Sequence, residues 1–184
     1  MSEDKSRWNE KYRQNPHTNE ASEILKKYAH HAKVDQAIDI ACGMGRNTHF
    51  LAELGFMVDA VDISDEGLKS VKNSATIIKI ECDLDKYNLT PNRYDLVVNI
   101  NFLNRRLNSQ IKDALKSGGV LIYETFLLAY GEYNLPTTNL DYLLRKNELL
   151  HAFIGLDIIY YEEKDAINSN GEKVKVASLV AKKA

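Results

Sequence analysis

Five short apolar runs recur along the chain: "AIDIA" (37–41), "MVDAVDI" (57–63), "TIIKIEC" (76–82), "YDLVVNI" (94–100) and "VLIYETF" (120–126). Each has strand length and is rich in residues that favour a pleated surface. Between them, apolar residues fall at helical spacing. One such pattern holds Phe50, Leu51 and Leu54 and stops at Gly55. The next opens at Ser64 as N-cap, with Gly67 only tolerated inside it. Another carries Leu107, Ile111 and Leu115 and stops at Gly118, whereas the link 83–93 is too short for a predicted helix. Strands alternating with helices imply right-handed crossovers and a mostly parallel sheet.

Both ends depart from this rhythm. Residues 3–14 predict a polar helix with Trp8 and Tyr12 on one face. Pro16 ends it, and Thr18 or Asn19 can cap a second helix that runs to about Ala32 through Ala21, Ile24, Leu25 and Tyr28. After a loop, the spacing of Leu143, Leu144, Leu150, Phe153 and Ile154 predicts a helix over 140–154. "LDIIYYEE" (156–163) and "KVKVASLVA" (173–181) then read as two strands. Asn170-Gly171 between them is a hairpin signal, so the pair is expected to run antiparallel.

At 184 residues the chain is long enough for one full core and short for two, so one domain is expected over 1–184. Within it, 1–34 form N-terminal helices that could serve as a lid, and 35–184 form the sheet core. A formal charge of −2 provides no global field to draw in nucleic acid. The opening "MSEDKSRWNEKY" is too charged for the apolar core of a signal peptide, and no apolar run approaches the ~20 residues of a membrane helix. A cytoplasmic protein with reduced thiols is expected, away from membranes. Cys42 and Cys82 have no second pair or His cluster beside them, so no metal site is expected, and both read as packing residues. His30 and His31 sit at a helix C-terminus, where the dipole favours cations.

The chemistry gathers at "AIDIACGMGRN", residues 37–47, where a strand runs into Gly43 and Gly45. A dinucleotide fingerprint needs a third glycine where Thr48 stands, and a P-loop needs Lys followed by Ser or Thr where Arg46-Asn47 stands on a different spacing. The acids around the turn say more. Asp39 lies inside the first strand. Asp62 ends the second, 19 residues after Gly43, where a carboxylate can bind both hydroxyls of a ribose. Asp83 follows the third strand, with a carboxylate able to accept from an exocyclic amine while the N–H of Leu84 faces a ring nitrogen. Asn99 closes the fourth. All lie at the carboxyl ends of strands, where open α/β sheets bind ligands.

These segments resemble the class I S-adenosylmethionine (SAM) methyltransferases: "DIACGMGRN" as the glycine motif, "VDAVDIS" as the ribose motif, "ECDLDKY" as the adenine motif, with "YDLVVNINFL" and "LKSGGVLIYETF" as the fourth- and fifth-strand motifs. The small size and the leading "RWNEKY" look most like the tellurite-resistance and thiopurine-type small-molecule enzymes. The resemblance implies a three-layer Rossmann-like α/β fold with seven strands in the order 3-2-1-4-5-7-6, the last antiparallel. It implies SAM as cofactor and S-adenosylhomocysteine as product. The methionine portion would lie over Ala41, Cys42, Gly43 and Gly45, the ribose on Asp62 beside Ile63, and the adenine beside Asp83 and Leu84. Asp39, Arg46, Asn47 and Asn99 complete the cofactor set, and Trp8, Tyr12 and Arg13 could reach it from a lid. The family usually has glycine where Ala41 stands.

On the acceptor side the pocket candidates are Asn101, Arg105, Glu124 and Thr125, with Asn104 nearby. Arg105-Arg106 open a helix and either face solvent or meet an anionic substrate. No residue declares itself a general base, which favours a small soft nucleophile such as a thiol or a metalloid anion. Two other readings stand beside this one: an RNA or protein methyltransferase, and a SAM-binding module without catalysis. Either a monomer or a homodimer is compatible with the chain.

Overall fold

The computed structural model describes residues 3–14, 20–168 and 170–184. Helix α1 spans Glu3–Gln14, and α2 spans Glu23–Tyr28 before a 3-10 turn at Ala29–His31. The expected break at Pro16 lies outside the described residues, but the second helix starts later than expected: Ser22, not Thr18 or Asn19, takes the N-cap position, and Ala21 precedes the helix. The alternation then runs β1 Gln36–Ile40, α3 Arg46–Glu53, β2 Met57–Asp62, α4 Asp65–Ser70, β3 Ile77–Glu81, β4 Tyr94–Ile100, α5 Leu107–Ala114 and β5 Leu115–Leu127. Helix α6 (Glu148–Phe153) precedes β6 (Asp157–Ile167) and β7 (Lys173–Lys182).

The seven strands are ordered β3-β2-β1-β4-β5-β7-β6. The first five pair in parallel, and β7 runs antiparallel to both β5 and β6. The closing hairpin turns where the signal stood: Gly171 takes φ +78° and its N–H donates to the Asn168 carbonyl. Every residue of β4 is buried, as a central strand covered on both faces requires. Alternate residues feed two cores. Ile38, Ile40, Val97 and Tyr123 pack with Leu107, Ile111, Leu149 and Phe153 of α5 and α6. Ala37, Leu96, Val98 and Ile122 pack with Ile24, Leu25 and Leu51 of α2 and α3. Full burial of a side chain such as Leu25 contributes about 1.5–3 kcal/mol. Three layers result, with the carboxyl edge of the sheet left for chemistry.

Three further expectations need correction. The 140–154 helix is broken into a 3-10 turn at Leu140–Tyr142, an extended step, and α6. Leu144 forms a parallel bridge to Leu127, accepting from Leu128 N–H and donating to the Phe126 carbonyl. Leu143 and Leu144 are both buried, so two adjacent leucines that imitate a helical face are extended, and Leu144 bridges to the end of β5. Leu115 belongs to β5, opposite Tyr94, and not to the preceding helix. Gly67 is required, for a reason given below. No described helix is long and apolar enough to cross a membrane.

Candidate functional site

The chain leaves β1 through a turn with three left-handed residues: Ala41 at φ +55°, Gly43 at +58° and Gly45 at +84°. Glycine adopts this backbone freely, whereas an L side chain raises its energy by roughly 1–2 kcal/mol. The alanine at 41 is therefore a backbone matter. Gly45 sits at the start of α3, where a Cβ would come within 2.7 Å of Val71 Cγ2.

Two buried carboxylates flank the turn. Asp39 accepts from Thr48 Oγ1 at 2.7 Å, and burial pushes its carboxyl up to about 7, with Asp62 adding to the shift and Arg46 opposing it. Asp62 accepts from Gly43 N–H and from Ser64 N–H, each at 2.8 Å. Its pKa is also raised by burial, against the pull of those amides and of Ile63 N–H. Each carboxylate oxygen can still accept a further hydrogen bond. Two desolvated acids favour a cationic ligand and oppose a pyrophosphate. The Cys42 thiol lies beside both; burial first, then Asp39 and Asp62, hold its pKa well above the normal range, so it stays protonated and is not a nucleophile.

Helix α1 comes down on this turn. A Cβ on Gly43 would stand 2.7 Å from Tyr12 Oη, and one on Gly67 would meet the Gly43 carbonyl at 2.9 Å and the Tyr12 ring at 3.1 Å. Gly67 is thus the point where α4, the turn and α1 converge. Burial, then Asp62, Cys42 and Asp39, raise the Tyr12 hydroxyl pKa. Trp8 stacks on Tyr12 with ring centroids 5.7 Å apart, and Lys11 Nζ lies 4.5 Å from the Trp8 ring. Arg13 extends to Glu66 at 3.1 Å and to Glu10 at 3.5 Å. Asn47 is turned from the ligand edge toward α2, its Oδ1 accepting from Ser22 N–H at 3.0 Å.

Further along the edge, Asp83 Oδ1 accepts from Asp85 N–H at 3.0 Å, and its other oxygen faces Lys86. The Leu84 carbonyl accepts from Asn104 Nδ2 at 3.3 Å and from Arg106 Nη2 at 3.0 Å. Arg106 also donates to Asn88 and to the Tyr87 carbonyl, pinning the segment after β3. Asn99 is buried at the end of β4, and its Oδ1 has no partner among the described residues. Beside it, burial raises the Tyr123 pKa, opposed by a hydrogen bond with Asn99, and the Tyr123 hydroxyl donates to the Phe102 carbonyl at 3.2 Å.

The acceptor-side candidates separate. Asn101 is exposed at φ +59°, its N–H donating to the Glu124 carbonyl. Thr125 is buried. Glu124 accepts from Ser178 Oγ and lies 3.4 Å from Lys164 Nζ. Arg105 grips Glu148 with two donors and also donates to the Asp141 and Leu143 carbonyls. Where β5 ends, a cleft of about 660 Å³ is lined by Arg105, Leu128, Lys146, Glu148 and His151. A second, of about 520 Å³, shares Leu128 and Lys146 with it. The residues 3–14, 20–168 and 170–184 contain no cluster of acids, histidines and cysteines able to hold a metal.

Among the residues that shape this edge, Asn9 and Gly67 are the least visible in the sequence. Asn9 carries one signal: it stands midway between Lys5 and Arg13, on one helical stripe.

The sheet order, the antiparallel last strand and the acid-flanked glycine turn define a Rossmann-like methyltransferase fold. The TehB structure from Haemophilus influenzae shares it with TM-score 0.77 and 20% identity, over 96% of this chain and 67% of that one. A Haemonchus contortus phosphoethanolamine N-methyltransferase 2 complex matches with TM-score 0.67 and 17% identity, over 87% of this chain and 51% of that one. The family model of tellurite resistance protein TehB matches residues 1–179, and the chain belongs to that family. A probable SAM-dependent methyltransferase TehB of Haemophilus influenzae is 27% identical over 164 residues, 80% of this chain and 57% of that protein. A ribosomal protein L11 methyltransferase of Campylobacter concisus is 31% identical over 121 residues, 61% of this chain and 42% of that protein. The chain spans about half the length of these curated relatives.

Proposed function

We propose that this chain transfers the methyl group of SAM to a small-molecule acceptor. The observation that carries the reading is the pair Asp39 and Asp62, buried on either side of the glycine turn. SAM is cationic at its sulfonium and ammonium, which suits that pair, and it has no phosphate to be repelled. The cofactor supplies an electrophilic methyl group. Asp62 would take the ribose hydroxyls, Asp83 and Leu84 the adenine, and Ala41–Gly45 the methionine portion. Tyr12 would close the edge from above, excluding water and aligning the acceptor. Residues 1–15 then act as a lid, and their removal is expected to weaken SAM binding and abolish turnover in a chain that still folds.

The adjoining clefts at the end of β5 have the size of a small-molecule site and open beside the β4 loop. The pocket candidate Glu124 is held by Ser178 and Lys164, and Arg105 is occupied by Glu148. Neither cleft is lined by a side chain that declares itself a general base, which favours a soft acceptor such as a thiol or metalloid anion. The L11 methyltransferase relative supports a second reading, a protein acceptor. A coupled assay for S-adenosylhomocysteine release tests both, run across thiols, metalloid anions, amines, carboxylates, ribosomal protein and bulk RNA. Turnover with a thiol or metalloid anion is expected. Turnover with ribosomal protein alone supports the second reading, and SAM binding without turnover of any acceptor would overturn the first.

A further inference from the structure

Helix α1 follows the carboxyl edge of the sheet strand by strand. Lys5 Nζ reaches Glu81, the last residue of β3, and lies 3.0 Å from Asp65. Asn9 meets Ser64 and Asp65, just past β2. Tyr12 stands on Gly43, just past β1. Seven residues of helix rise about 10 Å, and two strand spacings also measure about 10 Å. The helix and the edge are commensurate, so one α1 contact falls at each of the three strand ends where the cofactor portions are proposed to lie.

The contacts differ in kind. Lys5, Asn9 and Arg13 stand four apart on one stripe. The two cations face an acidic run, Asp65, Glu66 and Glu81, that offers alternative partners one step either way. Such exposed pairs are weak and unspecific in register. Asn9 is 5% exposed in a helix whose other described residues are less buried. Its Oδ1 accepts from Ser64 Oγ at 2.6 Å, and its Nδ2 donates to Asp65 Oδ1 at 2.9 Å. Ser64 Oγ in turn accepts from Gly67 N–H at 3.0 Å, capping α4. The amide's donor and acceptor ends each have a complementary partner, so the helix is satisfied in one register. A slip of one residue turns it by about 100°, takes both partners from the Asn9 amide and leaves the Ser64 O–H without its acceptor. The Asn9 contact also holds the Asp65 carboxyl below its ordinary range, ahead of Lys5.

We propose that Asn9 is the positioning residue of the cofactor edge, fixing the register of α1 so that Tyr12, one turn on, seats on Gly43. This rests on the reading that the edge takes SAM. The test uses the full chain with Asn9→Leu, Asn9→Asp, Tyr12→Ala and the Asn9→Leu/Tyr12→Ala double variant. Folding is followed by melting curves, and α1 seating without cofactor by acrylamide quenching of Trp8, the chain's one tryptophan.

Asn9→Leu is expected to raise Trp8 quenching at least twofold. It is expected to weaken SAM binding about fivefold at low salt, and further at 0.5 M salt as the remaining ion pairs are screened, while the wild type changes little. Asn9→Asp, which sets a carboxylate against Asp65, is expected to unseat α1 as much or more. Tyr12→Ala is expected to weaken SAM binding by itself but to add little in the Asn9→Leu background. Unchanged quenching in Asn9→Leu, or effects of the two residues that simply add, would overturn the inference while SAM binding stands. Normal SAM binding by Tyr12→Ala would overturn it together with the Tyr12 contact. A wild type that does not bind SAM would remove the cofactor reading and leave the register of α1 to be decided by quenching alone.

Discussion

Asp62 Oδ2 accepts a hydrogen bond from the backbone N–H of Gly43 at 2.8 Å, tying the end of β2 to the turn after β1. Its other oxygen accepts from Ser64 N–H at the same distance. A carboxylate placed at a strand end by sequence spacing is therefore also a structural tie between neighbouring turns. Asp62→Ala is expected to weaken SAM binding by about tenfold or more, because charge-assisted hydrogen bonds contribute roughly 1.5–3 kcal/mol. It is also expected to lower stability by about 1–3 kcal/mol, since two buried N–H groups lose their acceptor. Calorimetry and denaturant melts on one preparation separate the two effects. A drop in affinity with no change in stability would show that the tie is dispensable.

Asp39 titrates near 7 in the fold because it is buried, whereas an unfolded chain ionises it near its ordinary value of 3.8. The folded state holds the extra proton between those values, so this group's contribution to stability falls as pH rises from about 4 to 7 and is level above. A cationic cofactor reverses the preference by favouring the carboxylate. SAM affinity is expected to tighten by about tenfold between pH 6 and 8, and Asp39→Asn to flatten that rise. Titrations of both proteins at three pH values check it, and parallel slopes would exclude Asp39 as the source.

At position 41 the backbone wants glycine, with φ at +55°. Ala41→Gly is expected to stabilise the fold by about 0.5–1 kcal/mol after the added freedom of the unfolded chain is subtracted, raising Tm by about 1–4 °C. A lower Tm would show that the alanine methyl makes packing contacts outweighing the strain.

Gly67→Ala places a methyl group 2.9 Å from the Gly43 carbonyl and 3.1 Å from the Tyr12 ring. A loss of about 1–3 kcal/mol is expected from overpacking, together with weaker SAM binding as α1 and the turn are pushed apart. Deleting residues 1–15 removes the Tyr12 contact but leaves the clash with Gly43. Gly67→Ala should therefore cost less in the truncated chain than in the full one, and an equal cost in both would place the whole effect at the turn.

Arg105 and Glu148 join the loop before α5 to the first residue of α6, with Arg105 about 40% exposed on its side chain. Solvent screening holds the coupling expected from a double-mutant cycle to about 0.5–1 kcal/mol. The larger effect of Arg105→Ala is expected in faster proteolysis of segment 128–147, because the same guanidinium also donates to the Asp141 and Leu143 carbonyls.

The local pattern was enough to predict the strands, a mostly parallel sheet, the closing hairpin and the acids on the carboxyl edge, while the order of the strands came from the family resemblance. Apolar runs of strand length, glycines at the turn and carboxylates at strand ends are periodic or short-range features, written in consecutive residues. The partners of those residues were not legible. Asn9 reads as one more polar residue of a polar helix until the fold brings Ser64, 55 positions away, against it. Gly67 looks merely tolerated in α4 until the Gly43 carbonyl and Tyr12 close on it from two other segments. Leu143 and Leu144 fit a helical face by spacing, and they become strand-like because the free edge of the chain at Leu127 offers Leu144 a backbone partner. Asn9 and Gly67 keep the helical backbone the local pattern predicts and take their roles from partners distant in sequence, whereas at Leu143 and Leu144 burial and backbone pairing override a helix propensity of a few tenths of a kcal/mol.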